Sequence, residues 1–260
     1  MASRSRRGRA LSGSGTAGTP TWAPGDGVTR VLVVTAHPDD VDFGSAGTIA
    51  SFTREGIEVA YCVVTDGEAG GSDRSAARSE VAALRRDEQR AAAARVGVSD
   101  VRFLGYPDGR VTCTLELRRD ISRVVRQVRP QRLITQSPER RWDRIQASHP
   151  DHLAAGEAAV CAVYPDARNP FAHPELLAGE DLEPHAVGEI WLMAAPRADI
   201  AVDTTSTIDD KVAALLCHRS QIADEAALAA MVRTWGASTA VEAGLPECAF
   251  AESFQVITTR

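Results

Sequence analysis

Short, uninterrupted apolar runs recur along this chain, each set apart from the next by a stretch long enough for a helix. VLVVT at 31–35 and VAYCVVT at 59–65 lack the alternating polar residues of a strand with one wet face. Strands of that kind are buried on both sides, which is the pattern of parallel sheets. Strands are expected at 31–35, 58–65, 101–104, 132–136, 189–194 and 199–203. Helices are expected at 45–55, 75–96, 114–128, 152–163, 207–219 and 224–235. Parallel neighbours need a crossover between them, and right-handed crossovers place helices on both faces. The expected fold class is therefore α/β, with a mostly parallel sheet at the centre of three layers.

The apolar pattern starts near residue 30, and residues 30–260 read as a single domain. Residues 1–29 are rich in Gly, Ser, Thr and Pro and read as a flexible tail. The tail's arginines precede no apolar run, so a secretory signal is not expected. Segment 164–188 carries Pro, His and acidic residues without periodicity, and reads as a long loop or insertion. A net charge of −6 gives no reason to expect nucleic acid as a partner. No run approaches the roughly 20 apolar residues of a membrane span. Five scattered cysteines without a CxxC pair read as reduced core residues of a cytoplasmic protein.

In open parallel sheets, ligands bind beyond the carboxyl ends of the strands. His37, Asp39 and Asp40 follow the first expected strand, and Asp66-Gly67-Glu68 follow the second. Residues 105–109, with Asp108, follow the third, and Ser137-Pro138-Glu139 follow the fourth. Topology alone expects these polar loops to share one edge.

Two motifs on that edge carry chemistry. In His37-Pro38-Asp39-Asp40, imidazole and carboxylate three residues apart can meet on one ion where the chain turns into a helix. The plainer reading is that an aspartate caps that helix. His149-Pro150-Asp151-His152 repeats the pattern ahead of another apolar run. The chain has six histidines, and three fall in these two motifs, which is hard to reconcile with capping alone. His37, Asp40 and His152 would supply three ligands and leave a fourth position open, as catalytic zinc sites do. Asp39 would be free to act as general base. His149 would bond an oxyanion or protonate a leaving amine. Asp151 would orient a histidine from behind.

With these motifs in view, the chain resembles the LmbE/PIG-L family of zinc-dependent N-deacetylases. AHPDD, TDGEAGG at 65–71, Arg85-x-x-Glu88, FLGYPDG at 103–109, VRPQRLIT at 128–135, HPDH at 149–152 and KVAALLCHRSQ at 211–221 follow the family's order. The resemblance implies a Rossmann-like fold and one Zn²⁺ per chain, with other divalent ions able to substitute. It implies hydrolysis of an acetamide on a small N-acetylated sugar conjugate, commonly of N-acetylglucosamine. Some members form homo-oligomers. It implies that His37, Asp40 and His152 hold the metal, that Asp39 is the base, and that His149 is the acid or oxyanion partner. An arginine (Arg74, Arg78 or Arg85) and Asp108 would meet the sugar.

The chain departs from some members at Ala147, where they carry a tyrosine that contacts the oxyanion. Within 137–148, Arg140, Arg141 and Arg144 would meet an anionic substrate group or form a solvated loop, and Trp142 would line a sugar pocket. His218 reads as a packed histidine, and His173 and His185 as exposed ones. An amidase for a larger acyl group on a thiol or antibiotic conjugate is the alternative within this chemistry, decided by pocket depth at 137–148 and 164–188. A metal-containing binding protein without turnover is the alternative outside it. A nucleotide-binding protein lacks support, because no GxGxxG follows the first strand.

Overall fold

The computed structural model describes residues 19–71 and 75–259; Arg74 and the first eighteen residues of the expected tail lie outside the described part. The elements run β1 (Arg30–Thr35), α1 (Asp40–Arg54), β2 (Glu58–Thr65), α2 (Arg78–Arg95), β3 (Asp100–Tyr106), α3 (Leu115–Val128) and β4 (Arg132–Gln136). They continue with α4 (Pro150–Cys161), α5 (Pro174–Ala178), β5 (Glu189–Met193), β6 (Ile200–Asp203), α6 (Ile208–Leu215), α7 (Glu225–Glu242) and β7 (Ala251–Thr258). All six expected strands form. The seven-stranded sheet has the order β3-β2-β1-β4-β5-β7-β6, parallel except for the antiparallel pairs made by β7.

Alternation along β1 builds the layers. Leu32 and Val34 face Leu117, Ile121 and Val125 of α3 and the alanines of α4. Val31 and Val33 face Ile49 and Phe52 of α1 and Ala92 and Ala93 of α2. Both faces are dry, as the uninterrupted runs required. The strand order reverses beside β1, which pairs with β2 on one side and β4 on the other. A crevice opens at such a switch point.

Several expectations need correction. Residues 19–29 are not a free tail. Trp22 packs edge-on against Phe52 at 4.9 Å, and its backbone N–H donates to Ala201 O. Asp26 pairs with Arg132. Segment 164–188 wraps a buried arginine: Arg126 of α3 donates to the carbonyls of Asp166, Ala167, Asn169, Ala172 and Leu182. Neither of its histidines is free. His173 contacts Asp166 at 3.3 Å, and His185 lies 2.7 Å from Pro130 O. Among the cysteines only Cys62 is core, while Cys113 and Cys248 are exposed. Strand β7 was unforeseen. Its Glu252 hides the apolar alternation, but that carboxylate is buried and satisfied by the N–H groups of Gly47 and Thr48 and by Lys211.

Candidate metal centre and active site

The peptide that turns β1 into α1 is clamped from both neighbouring strands. Ala36 N–H donates to Gln136 Oε1 at 3.0 Å, and Ala36 O accepts from Thr65 N and Thr65 Oγ1, each at 2.9 Å. Beyond the clamp, His37 N–H donates to Asp40 Oδ2 at 2.7 Å and folds the motif back on itself. On the β4 side the chain passes through a 3-10 turn, Ile145–Ser148, into α4, whose first turn holds Pro150.

These junctions bring the two motifs together. His37 Nδ1 lies 3.3 Å from Asp40 Oδ2 and 3.2 Å from His152 Nε2, and His152 Nε2 lies 3.0 Å from Asp40 Oδ1. Ligands held at about 2.0–2.1 Å in a tetrahedron are about 3.3 Å apart. Asp40 meets the two imidazoles through its two different oxygens, each at a spacing that donors around one ion have, and nitrogen and carboxylate donors suit zinc. His37 Nε2 turns the other way, 3.2 Å from Asp108 Oδ1 and 3.3 Å from Asp151 Oδ2. Asp151 itself is pinned by the N–H groups of Gly109 and Val111. Asp108 accepts from Ala69 N–H and is held through its own N–H by Glu68. Carboxylates behind a ligating imidazole fix its tautomer and orientation.

Asp39 does not cap α1. It occupies the N-cap position without a side-chain cap bond, in the left-handed region at φ 82°. A non-glycine residue rarely holds that conformation without support from its surroundings. Here Asp39 N–H donates to Gln89 Oε1 at 2.7 Å, and Asp39 Oδ2 accepts from Arg85 Nη2 at 2.8 Å. Arg85 is buried and also donates to Pro38 O and Gly67 O. Gly67, at φ 69°, is where this guanidinium passes; a Cβ there would lie 2.4 Å from Arg85 Nη1. Gln89 in turn donates to Asp42, which also binds the buried His218 at 2.8 Å. Sequence reading missed Gln89 and Asp42, although Gln89 stands one helical turn from Arg85 on the same face.

Charge follows from this packing. Burial disfavours a charged His37, yet hydrogen bonds and negative charge from Asp108 and Asp40 push its pKa up to about 11. Burial likewise opposes Asp40 as an anion, but His152 and His37 hold its carboxyl well below the usual range. Burial, with the Asp40 charge beside it, raises Asp39 to about 6 against the pull of Arg85. Burial lowers His149, helped by the charges of His37 and His152. His149 caps α4 by accepting Asp151 N–H on Nδ1 at 3.2 Å. Its neutral form therefore carries the proton on Nε2.

A cavity of about 520 Å³ opens beside Asp40 and His152. Arg141, Arg144, Gln146 and Ala147 of the 137–148 loop line it, together with residues of α6, α7 and the sheet. No residue of 164–188 contributes among the described residues, so that segment does not set the cavity's depth. Trp142, expected in a sugar pocket, is instead 81% exposed.

Residues 32–163 match a protein family described as GlcNAc-PI de-N-acetylase, PIG-L. The chain is 31% identical over 202 residues to a diacetylchitobiose deacetylase of Thermococcus kodakarensis, covering 78% of this chain and 73% of that one. It is 32% identical over 203 residues to a probable N-acetyl-alpha-D-glucosaminyl L-malate deacetylase 2 of Bacillus cereus, covering 74% of this chain and 83% of the relative. The solved N,N'-diacetylchitobiose deacetylase of Pyrococcus horikoshii superposes with a TM-score of 0.81 at 28% identity, covering 89% and 85% of the two chains.

Proposed function

Because the chain belongs to the GlcNAc-PI de-N-acetylase (PIG-L/LmbE) family, we propose that it is a zinc-dependent hydrolase that removes the acetyl group from an N-acetylated amino sugar conjugate. The observation that carries this reading is the pairing of a three-donor cluster with a carboxylate kept out of it. Asp39 adjoins the cluster in sequence yet is turned away from capping and ligation by Arg85 and Gln89. A binding protein without turnover has no use for a strained carboxylate kept out of the ligand set at that place.

His37 Nδ1, Asp40 and His152 Nε2 would hold the ion. When bound, zinc polarises the acetamide carbonyl and makes an attacking water more acidic. The remaining work belongs to side chains. Asp39, with a pKa near 6, is ionised at neutral pH and weakly basic, and it takes the proton of the attacking water. His149 is neutral there, and its Nε2–H donates to the oxygen on which negative charge develops. The chain has Ala147 where some members carry a tyrosine, so His149 supplies a donor that does not depend on that residue. Asp151 and Asp108 hold His37 through Nε2. Arg85 keeps Asp39 ionised and aimed, and Asp108 would meet the sugar hydroxyls.

The test is metal analysis joined to an amine-release assay on N-acetylated glucosaminides. The wild type is expected to carry about one zinc per chain. Asp39→Ala should keep the zinc and lose about 10²-fold or more in kcat. His152→Ala should lose zinc and turnover together. Normal turnover in Asp39→Ala would refute the assigned base.

A further inference from the structure

The three arginines of the 137–148 loop have different fates. Arg140 donates to Ser148 O at 3.2 Å and lies over Trp142 at 5.6 Å, so its role is to brace the loop. Arg141 lines the cavity, but its guanidinium is paired with Asp143. Arg144 lines the same cavity and makes no ion pair among the described residues. Its Cζ stacks 4.5 Å from the centroid of the Trp235 ring. A guanidinium stacked on an aromatic face keeps its N–H groups free in the plane, where they bond an oxyanion edge-on.

The rest of the lining does not neutralise Arg144. Lys211 and Glu252 satisfy each other. Arg197 lies 2.9–3.1 Å from the Gln255 amide, a neutral group. Asp40 is engaged with His37 and His152. Glu242 also lines the cavity, and its charge acts on Arg141. Arg144 is exposed on the cavity wall, where the neighbouring Arg141 charge repels it and Asp143 pulls the other way. An anion entering the cavity would relieve that repulsion.

We propose that this cavity receives the aglycone of an anionic amino sugar conjugate, with Arg144 bonding its carboxylate or phosphate and Trp235 fixing the guanidinium. The proposal rests on the deacetylase reading above and narrows its substrate class. The cavity adjoins Asp40 and His152, so an acetamide at the metal cluster places the aglycone against α7.

Three probes test it: carboxymethyl N-acetylglucosaminide, N-acetylglucosamine 1-phosphate, and the neutral carbamoylmethyl N-acetylglucosaminide. For the zinc-loaded full chain, at least one anionic probe should show kcat/KM about 10-fold or more above the neutral one, the gain lying in KM. Which anion gains more separates carboxylate from phosphate. In Arg144→Gln the anionic-to-neutral ratio should collapse to within about threefold of unity, and Arg144→Lys should retain an intermediate ratio. No preference in the wild type, or an equal loss on all probes in Arg144→Gln, would overturn the assignment. Titration calorimetry with the three deacetylated products gives a readout without turnover. If no probe is hydrolysed, the deacetylase reading fails. Tighter binding of an anionic product by the wild type than by Arg144→Gln then still upholds the anion site, and equal binding rejects it.

Discussion

At the scale of single residues, the site divides into what spacing encodes and what folding adds. The juxtaposition of His37, Asp40 and His152 was legible because two motifs repeat imidazole and carboxylate at strand ends that share one edge. The state of Asp39 was not legible, because it depends on a φ of 82° and on Arg85, 46 residues away in sequence. Arg85 was expected to face sugar hydroxyls, whereas its guanidinium faces Asp39 and two carbonyls. A pH prediction follows. Asp39 must be ionised to accept a proton, so kcat/KM rises with pH through its pKa near 6 and levels above it. Arg85 favours the anion, and Arg85→Met should move that acid limb upward by about one pH unit. A limb that stays in place while activity falls would mean that Arg85 positions the loop without acting on the base.

At the scale of elements, strands and helices were read well where a run was uniformly apolar, and poorly where polar residues were buried in pairs. Strand β7 escaped because Glu252 interrupts its alternation, and no local rule says that Lys211 and two N–H groups of α1 will meet that carboxylate. Helix α4 reaches its place by a close approach to β4. A Cβ on Gly156 would lie 2.2 Å from Gln136 O, a backbone atom that cannot swing aside. Gly156→Ala should therefore push α4 outward, cost about 1–3 kcal/mol in urea unfolding, and weaken zinc binding by displacing His152. Loss of stability with unchanged zinc affinity would show that α4 pivots without moving its first turn.

A second element-scale prediction concerns the loop after α6. His218, 1% exposed, binds Asp42. Burial opposes its charge, but the hydrogen bond and negative charge of Asp42 raise its pKa above 6.5. A raised folded pKa means that this stabilisation is complete below pH 6.5 and fades as pH climbs through the folded value. His218→Gln should thus cost about 3 kcal/mol at pH 6 and less at pH 9. A cost that did not shrink with pH would mean that His218 is neutral in the folded protein.

For the whole molecule, the topological argument held because parallel sheets expose their loops in a regular way: the loops after β1, β2, β3 and β4 do share one edge. The contacts of Trp22 and Asp26 ahead of β1 were not legible, because composition cannot reveal which part of a Gly/Pro-rich segment meets a buried charge. Arg132 is 2% exposed, stacked 3.8 Å from the Trp191 ring centroid, and neutralised by Glu189 and by Asp26. A chain begun at Arg30 should lose about 2–4 kcal/mol in urea unfolding, since it strands half of that charge balance and bares Phe52. Stability equal to that of the full chain would mean that residues 19–29 merely rest on the surface. The practical consequence falls on anyone who trims or tags the protein. Trp22 and the aspartate that answers Arg132 both lie ahead of β1, so a fusion partner or an engineered cleavage site placed ahead of residue 19 leaves that latch closed.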